Sequence, residues 1–199
     1  MAGVACERTA RHAAYDASMA EREIVLLGDP RLLERCRPVV PDEWSSLPAL
    51  AEDLHDTLMA FRRRWGAGRA IAAPQIGDLR RVVYLHVGEP HVFVNPRIEQ
   101  RSPELVELWD DCMSFPDLLV RVRRHARVTL AYTDLQGEER RWPLEGDLSE
   151  LLQHEVDHLD GVLAVARAVD GASFALRSQA RFTAYDRSRL PPAEPSRDG

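Results

Sequence analysis

Apolar residues recur at helical spacing from about residue 47 to residue 64, where Leu47, Leu50, Ala51, Leu54, Leu58 and Phe61 form one stripe. Ser46 stands where it would cap this helix, and Pro48 is tolerated in its first turn. The stretch WGAGRAIAAPQIG (65–77) breaks the rhythm, with side chains too small for core and too apolar for an ordinary linker. Strand-like runs then follow at 81–87, 91–96, 104–109, 118–122 and 127–133. Gly137 supplies a turn before 140–144, which predicts a hairpin. A second helix is predicted over 147–161, with Leu148, Leu151, Leu152, Val156 and Leu159 as its apolar stripe. Asp147 with Glu150 has the spacing of a capping box, and Gly161 suits the left-handed position just past the end. The segment 172–185 has the spacing of a third helix. Strands in series with a few helices predict an α+β fold, mostly antiparallel, with helices packed on the sheets.

The ends do not share these patterns. Residues 1–20 lack apolar periodicity and predict a flexible N-terminal arm, in which Met19 is an alternative start. Residues 187–199, rich in Pro and polar groups, predict a disordered C-terminal tail. Residues 21–186 are left as one domain, a size that buries a substantial core.

Composition narrows the class. Hydrophobic residues at 45% and charged residues at 29% are those of a soluble globular protein. A net charge of -6 argues against a nucleic-acid-binding surface. All 26 basic residues are Arg, a composition bias rather than a site. Cys6, Cys36 and Cys112 make no C-x-x-C pair, so a disulfide framework is not expected and a reducing cytoplasm is. The N-terminus has Arg and His where a signal peptide needs an apolar run, and no segment approaches a membrane span. No interface signal stands out, so a monomer is expected.

The chemistry concentrates in LLQHEVDHLDGV (151–162). Continuing the apolar stripe of the second helix by one turn lands on Glu155 and His158, with His154 at its edge. Polar groups that face inward are costly unless they are partnered, so this placement is informative. Histidines at i and i+4 direct both imidazoles to one point, and the glutamate between them reaches water at a metal held there. A catalytic metal needs a third protein ligand and an open position. Downstream of His158 there is no His, and Glu194 in the tail is the only Glu, so that ligand must lie upstream. Cys112 in LWDDCMSFP is the best candidate, although a single free cysteine is more often a small buried apolar residue.

Three segments taken together resolve the choice. Q-H-E-x-D-H-L-x-G around His154, C-x-S-x-P around Cys112 and G-x-A-I-A-A-P-Q-I-G over 68–77 stand in the order and approximate spacing of the peptide deformylases. The chain resembles that family over about residues 21–186. The resemblance implies mostly antiparallel sheets around a central H-E-x-x-H helix, and removal of the formyl group from the N-terminal formyl-methionine of new polypeptides. It implies one divalent metal, Fe(II) by preference with Zn, Ni or Co as substitutes, held by Cys112, His154 and His158. Glu155 would be the general base, and Gln75 and the backbone N–H of Met113 would bind the formyl oxygen. Gly68, Arg69, Ala70, Asp110 and Glu150 would fall along the substrate. The implied partner is a formyl-methionyl polypeptide met at the ribosome, with no nucleic acid or membrane bound directly.

Four departures from the family's pattern stand out. Asp110-Asp111 replaces Glu-Gly before the cysteine, and Ala70 replaces a glycine. Arg69 stands where an apolar residue is usual, and Glu150 falls where the methionine pocket is lined. For Arg69 and Glu150, either the change is drift on a surface loop and helix start, or the pocket is more polar than a methionine side chain favours. The alternatives are a paralogue acting on a specialised formylated peptide or small metabolite, and a metal-binding module without turnover. Intact Gln75 and Glu155 argue against the last, because a structural metal site needs neither.

Overall fold

The computed structural model describes residues 21–185. The arm expected over 1–20 and the tail expected over 187–199 lie outside the described residues.

Two α-helices and eight strands make up the described chain, with short 3-10 turns between them. Helix α1 is Leu47–Trp65 and helix α2 is Gly146–Leu159. Strands β1 (Ala70–Ala72), β2 (Val82–Val87) and β3 (Glu89–Arg101) precede β4 (Leu105–Asp111) and β5 (Leu118–His125). Strands β6 (Arg127–Thr133), β7 (Glu139–Glu145) and β8 (Phe174–Leu176) complete the set. A five-stranded sheet has the order β1-β2-β3-β6-β7 and a three-stranded sheet the order β4-β5-β8, all pairs antiparallel.

Strand β2 explains the position of the helices. Its run VVYL is buried throughout, because the sheet is covered on both faces here. Val82 and Tyr84 pack with Leu54 and Leu58 of α1, while Val83 and Leu85 pack with Leu152 and Val156 of α2. Strand β1 divides in the same way, Ile71 toward α1 and Ala70 and Ala72 toward α2. The small side chains of 65–77, expected to be unsuited to a core, are therefore core. Alanine lets α2 lie close to the edge of the sheet, and Ala73–Ile76 follows as a buried 3-10 turn.

Helix α2 is also tied to the second sheet. Gln153 Nε2 and Ser149 Oγ donate to the His125 carbonyl, and the His125 N–H donates to Gln153 Oε1. His125 ends β5 and β6 begins at Arg127, so α2 is anchored where the chain passes from one sheet to the other.

Three further sequence expectations are corrected. The segment 172–185 is not a helix: Phe174–Leu176 pairs with Leu118–Val120 of β5, and Arg177–Phe182 is a 3-10 turn. Backbone pairing to an exposed strand edge outweighs local helical spacing here. Asp147 and Glu150 form no capping box. Helix α2 starts at Gly146 without a side-chain cap, and Glu150 is drawn inward to Arg69. Ser46 does not cap α1, since its hydroxyl donates to the Glu43 carbonyl inside the turn Pro41–Ser46. Gly161 does take the left-handed conformation at φ +73°, and a Cβ there would stand 2.5 Å from the Leu33 carbonyl oxygen.

Candidate metal centre and active site

Helix α2 delivers two imidazoles and the end of β4 delivers a thiol to one point. Cys112 Sγ lies 3.2 Å from His158 Nε2, which lies 3.1 Å from His154 Nε2. All three donor atoms fall within 4.8 Å of one another, and the three residues are buried. Tetrahedral bonds of about 2.1 Å to nitrogen and 2.3 Å to sulfur would set such donors roughly 3.3–3.6 Å apart. The triad fits one small divalent ion with only slight relaxation.

The surroundings fix the donors. Asp110 Oδ2 lies 2.9 Å from His154 Nδ1, so the proton sits on Nδ1 and Nε2 is left for a ligand bond. Asp110 also accepts from Arg124 Nη2 at 2.9 Å, and Arg124 Nη1 donates to Asp157 at 2.8 Å. Arg167 joins Asp157 from outside. Burial opposes charge on Arg124 and on Asp110. Even so, Asp110 and Asp157 hold the guanidinium charged, and His154 with Arg124 keeps the Asp110 carboxyl well below the usual carboxylate range. Burial also opposes a proton on His154, but Asp110 and then Cys112 outweigh it and raise that imidazole well above its ordinary value. Burial, reinforced by the charge on His154, pushes His158 well below its own.

Glu155, next to His154, lines the cavity that opens onto the triad. Its Oε2 is buried and has no hydrogen-bond partner among the described residues. Burial raises its carboxyl from 4.5 to about 7, partly offset by His154.

Gln75 is clamped from the 3-10 turn after β1. Its Oε1 accepts from the Ala72 N–H at 2.9 Å, which turns Nε2 toward Ser114 Oγ at 3.3 Å and Cys112 Sγ at 3.7 Å. Met113, directly after Cys112, lines the same cavity. Gly68, Arg69, Ala70, Asp110, Asp111, Phe61 and Leu151 form the rest of its wall. Gly68 has φ +112°, and a Cβ there would crowd Leu58 and Phe61 at 3.1 and 3.3 Å. Glu150 stands behind the wall, its carboxylate 2.6 Å from Arg69 Nη2.

Asp111 is unstrained, since among the described residues Asn95 alone of the non-glycines has positive φ. It ends β4 in extended conformation, and its carboxylate accepts from Arg177 Nη2 at 2.8 Å. The 3-10 turn after β8 is thereby tied to the residue before the thiol.

Sequence reasoning missed Arg124 and Arg177. Arg124 carried a signal: Val120, Val122 and Arg124 alternate on the buried face of β5, two residues beyond where the strand was expected to end. Arg177 gave none, because its partner is 66 residues away in the chain.

A thiol and two imidazoles converging on one point, with a buried carboxylate beside them and an amide donor opposite, define the class of metal-dependent hydrolases. Comparison with known proteins names the family. Residues 21–173 match the family model described as polypeptide deformylase. A peptide deformylase of Thermomicrobium roseum is 41% identical over 163 residues, covering 76% of this chain and 88% of the relative. The crystal structure of peptide deformylase from Thermotoga maritima superposes with a TM-score of 0.69 at 33% identity, covering 75% of this chain and 98% of that one. A class I type b peptide deformylase from Acinetobacter baumannii, solved with Met-Ala-Ser bound, gives 0.68 at 31% identity, covering 73% and 97%. The chain belongs to the polypeptide deformylase family, hydrolases that remove the N-formyl group from new polypeptides.

Proposed function

We propose that this chain hydrolyses the N-terminal formyl amide of new polypeptides with one divalent ion held by Cys112 Sγ and the Nε2 atoms of His154 and His158. The observation that carries this reading is the convergence of those three donors beside the unpartnered Glu155 Oε2. One thiolate and two imidazoles suit Fe(II), Zn, Ni or Co and disfavour Mg or Ca, and Fe(II) is the ion we favour. Bound there, such an ion would supply Lewis acidity toward the formyl oxygen and would lower the pKa of nearby water.

The protein does the rest. Glu155 takes the proton of the attacking water and delivers it to the departing amine. Gln75 Nε2 and the Met113 N–H donate to the formyl oxygen as its charge develops, a donor of this kind contributing roughly 3 kcal/mol. Asp110, Arg124 and Asp157 hold the His154 ring in place. Gly68, Arg69 and Ala70 on one side, backed by Glu150, flank the substrate; Asp110 lines the cavity while its carboxylate serves His154 and Arg124.

The remaining assignments belong to the same reading. The working unit is a monomer whose domain spans 21–186, meeting its substrate at the ribosome. A thiolate ligand is easily oxidised, which favours the cytoplasm, and no helix of the described residues is long and apolar enough to cross a membrane. The test is to load the protein without oxygen with each of the four ions, and to measure bound metal and formate release from formyl-Met-Ala-Ser. One ion per chain with turnover is expected, and Cys112→Ala should retain neither. A Cys112→Ala protein that holds its ion as tightly as wild type would refute the ligand set.

A further inference from the structure

We propose that Arg177 is a positioning residue for deformylation: its guanidinium clasps the loop between β4 and β5, which carries both the ligand Cys112 and the donor Met113 N–H. This rests on the deformylase reading above and adds a residue to its machinery. Residues 21–173 match the family model, and Arg177 lies beyond them. The loop runs over residues 112–117, from the end of β4 at Asp111 to the start of β5 at Leu118. Cys112 Sγ meets the two imidazoles, and the Met113 N–H is one peptide unit further on. Both must address one formyl oxygen, so the shape of the loop sets how well its developing charge is met. The strand ladder closes the base of the loop at Asp111 and Leu119. Above the base, the Phe115 N–H donates to the Cys112 carbonyl at 3.2 Å and the Leu118 N–H to the Phe115 carbonyl at 3.0 Å. Each of these turns reaches only three residues along the chain.

Arg177 spans what those turns do not. Leu176 pairs with Leu118 at the end of β8, which sets the next residue against the returning limb of the loop. There the Arg177 N–H donates to the Asp117 carbonyl at 2.8 Å and Nε to the Pro116 carbonyl at 2.5 Å. Nη2 donates to Asp111 Oδ2 at 2.8 Å on the outgoing limb. One residue thus holds three acceptors, on both sides of Cys112 and Met113. A guanidinium is a planar, rigid fork, so it fixes the spacing of its acceptors as well as balancing charge. Tyr185 steadies it, the hydroxyl accepting from Nη1 at 3.3 Å and the ring centre standing 5.7 Å from the guanidinium carbon. Only 18% of the Arg177 side chain and 22% of the Asp111 side chain are exposed, so the pair is screened less than one on the open surface. A backbone N–H cannot be aimed by its own side chain, and a clasp on the loop does that work.

The test measures kcat and KM on formyl-Met-Ala-Ser for nickel-loaded wild type, Arg177→Met and Arg177→Lys, with amide hydrogen exchange followed over residues 112–118. Arg177→Met should keep one ion per chain and a KM within about twofold, while kcat falls on the order of tenfold to a hundredfold, the scale on which misplacing a reacting group is felt. Exchange over 112–118 should quicken in that variant, and exchange in α2 should stay as in wild type. Arg177→Lys keeps the charge without the fork and should recover only part of kcat. A folded Arg177→Met with wild-type kcat, with unchanged loop exchange, with its loss confined to KM, or without its ion overturns the inference. Full wild-type kcat in Arg177→Lys would assign the effect to charge alone and overturns it equally. Should Arg177→Met fail to fold, Arg177→Lys decides by its kcat and loop exchange. No formate from wild type would remove the deformylase reading itself, whereas formate release matched by Arg177→Met removes only the clasp.

Discussion

Glu155 is the residue whose environment makes the clearest demands. Its folded-state carboxyl is raised from 4.5 to about 7 by burial, so the fold binds a proton that the unfolded chain has released. The sign follows. Below 4.5 the group is neutral in both states and contributes nothing. Between 4.5 and about 7 stability falls as pH rises, and above 7 the loss is constant, on the order of a few kcal/mol. Glu155→Gln should therefore stabilise the metal-free protein at pH 8 and leave it unchanged at pH 4, as read by the denaturation midpoint. An equal effect at both pH values would show that the carboxyl is not perturbed by burial.

Arg124 makes the opposite kind of demand. Arg124→Met would leave Asp110 buried without its guanidinium, so stability should fall by about 3–5 kcal/mol. Metal affinity should fall by about 10–100-fold as the His154 ring loses its support. Titration of the variant with Zn, set against its urea midpoint, checks both.

At the scale of elements, the sequence made the H-E-x-x-H helix legible because its inward stripe continues into His154, Glu155 and His158, and periodicity alone exposes that. The hairpin β6–β7 was legible from Gly137, a turn residue standing between two short strand-like runs. Long-range pairing was not. Residues 172–185 have helical spacing, yet Phe174–Leu176 joins β5, because the free edge of that strand satisfies its backbone groups. The 65–77 segment looked unfit for a core only because a helix lying directly on it could not be foreseen. The Arg69–Glu150 contact was visible as two anomalies of opposite charge; their distance was not. Gly161→Ala tests the junction after α2. With φ +73° and the Leu33 carbonyl 2.5 Å from the new Cβ, the variant should lose more than about 1 kcal/mol. A thermal midpoint equal to that of wild type would mean the Leu33 segment yields without cost.

For the whole molecule, the two sheets and α2 are held together at the place where the three donors meet. An ion bound there is bound by the folded state alone, so it stabilises the protein in proportion to its concentration over its Kd, about 2.7 kcal/mol at a hundredfold excess. Stripping the ion with a chelator should lower the thermal midpoint, and returning it should restore the midpoint. A midpoint indifferent to chelation would separate the donors from any metal. The measurement that bears most directly on the central claim compares wild type with Glu155→Ala, both purified without oxygen and loaded with Fe(II), for bound iron and for formate released from formyl peptides. The account predicts one ion per chain in both and turnover in wild type alone, the variant falling by roughly two to four orders of magnitude. A variant that keeps its iron and turns over near the wild-type rate would contradict it.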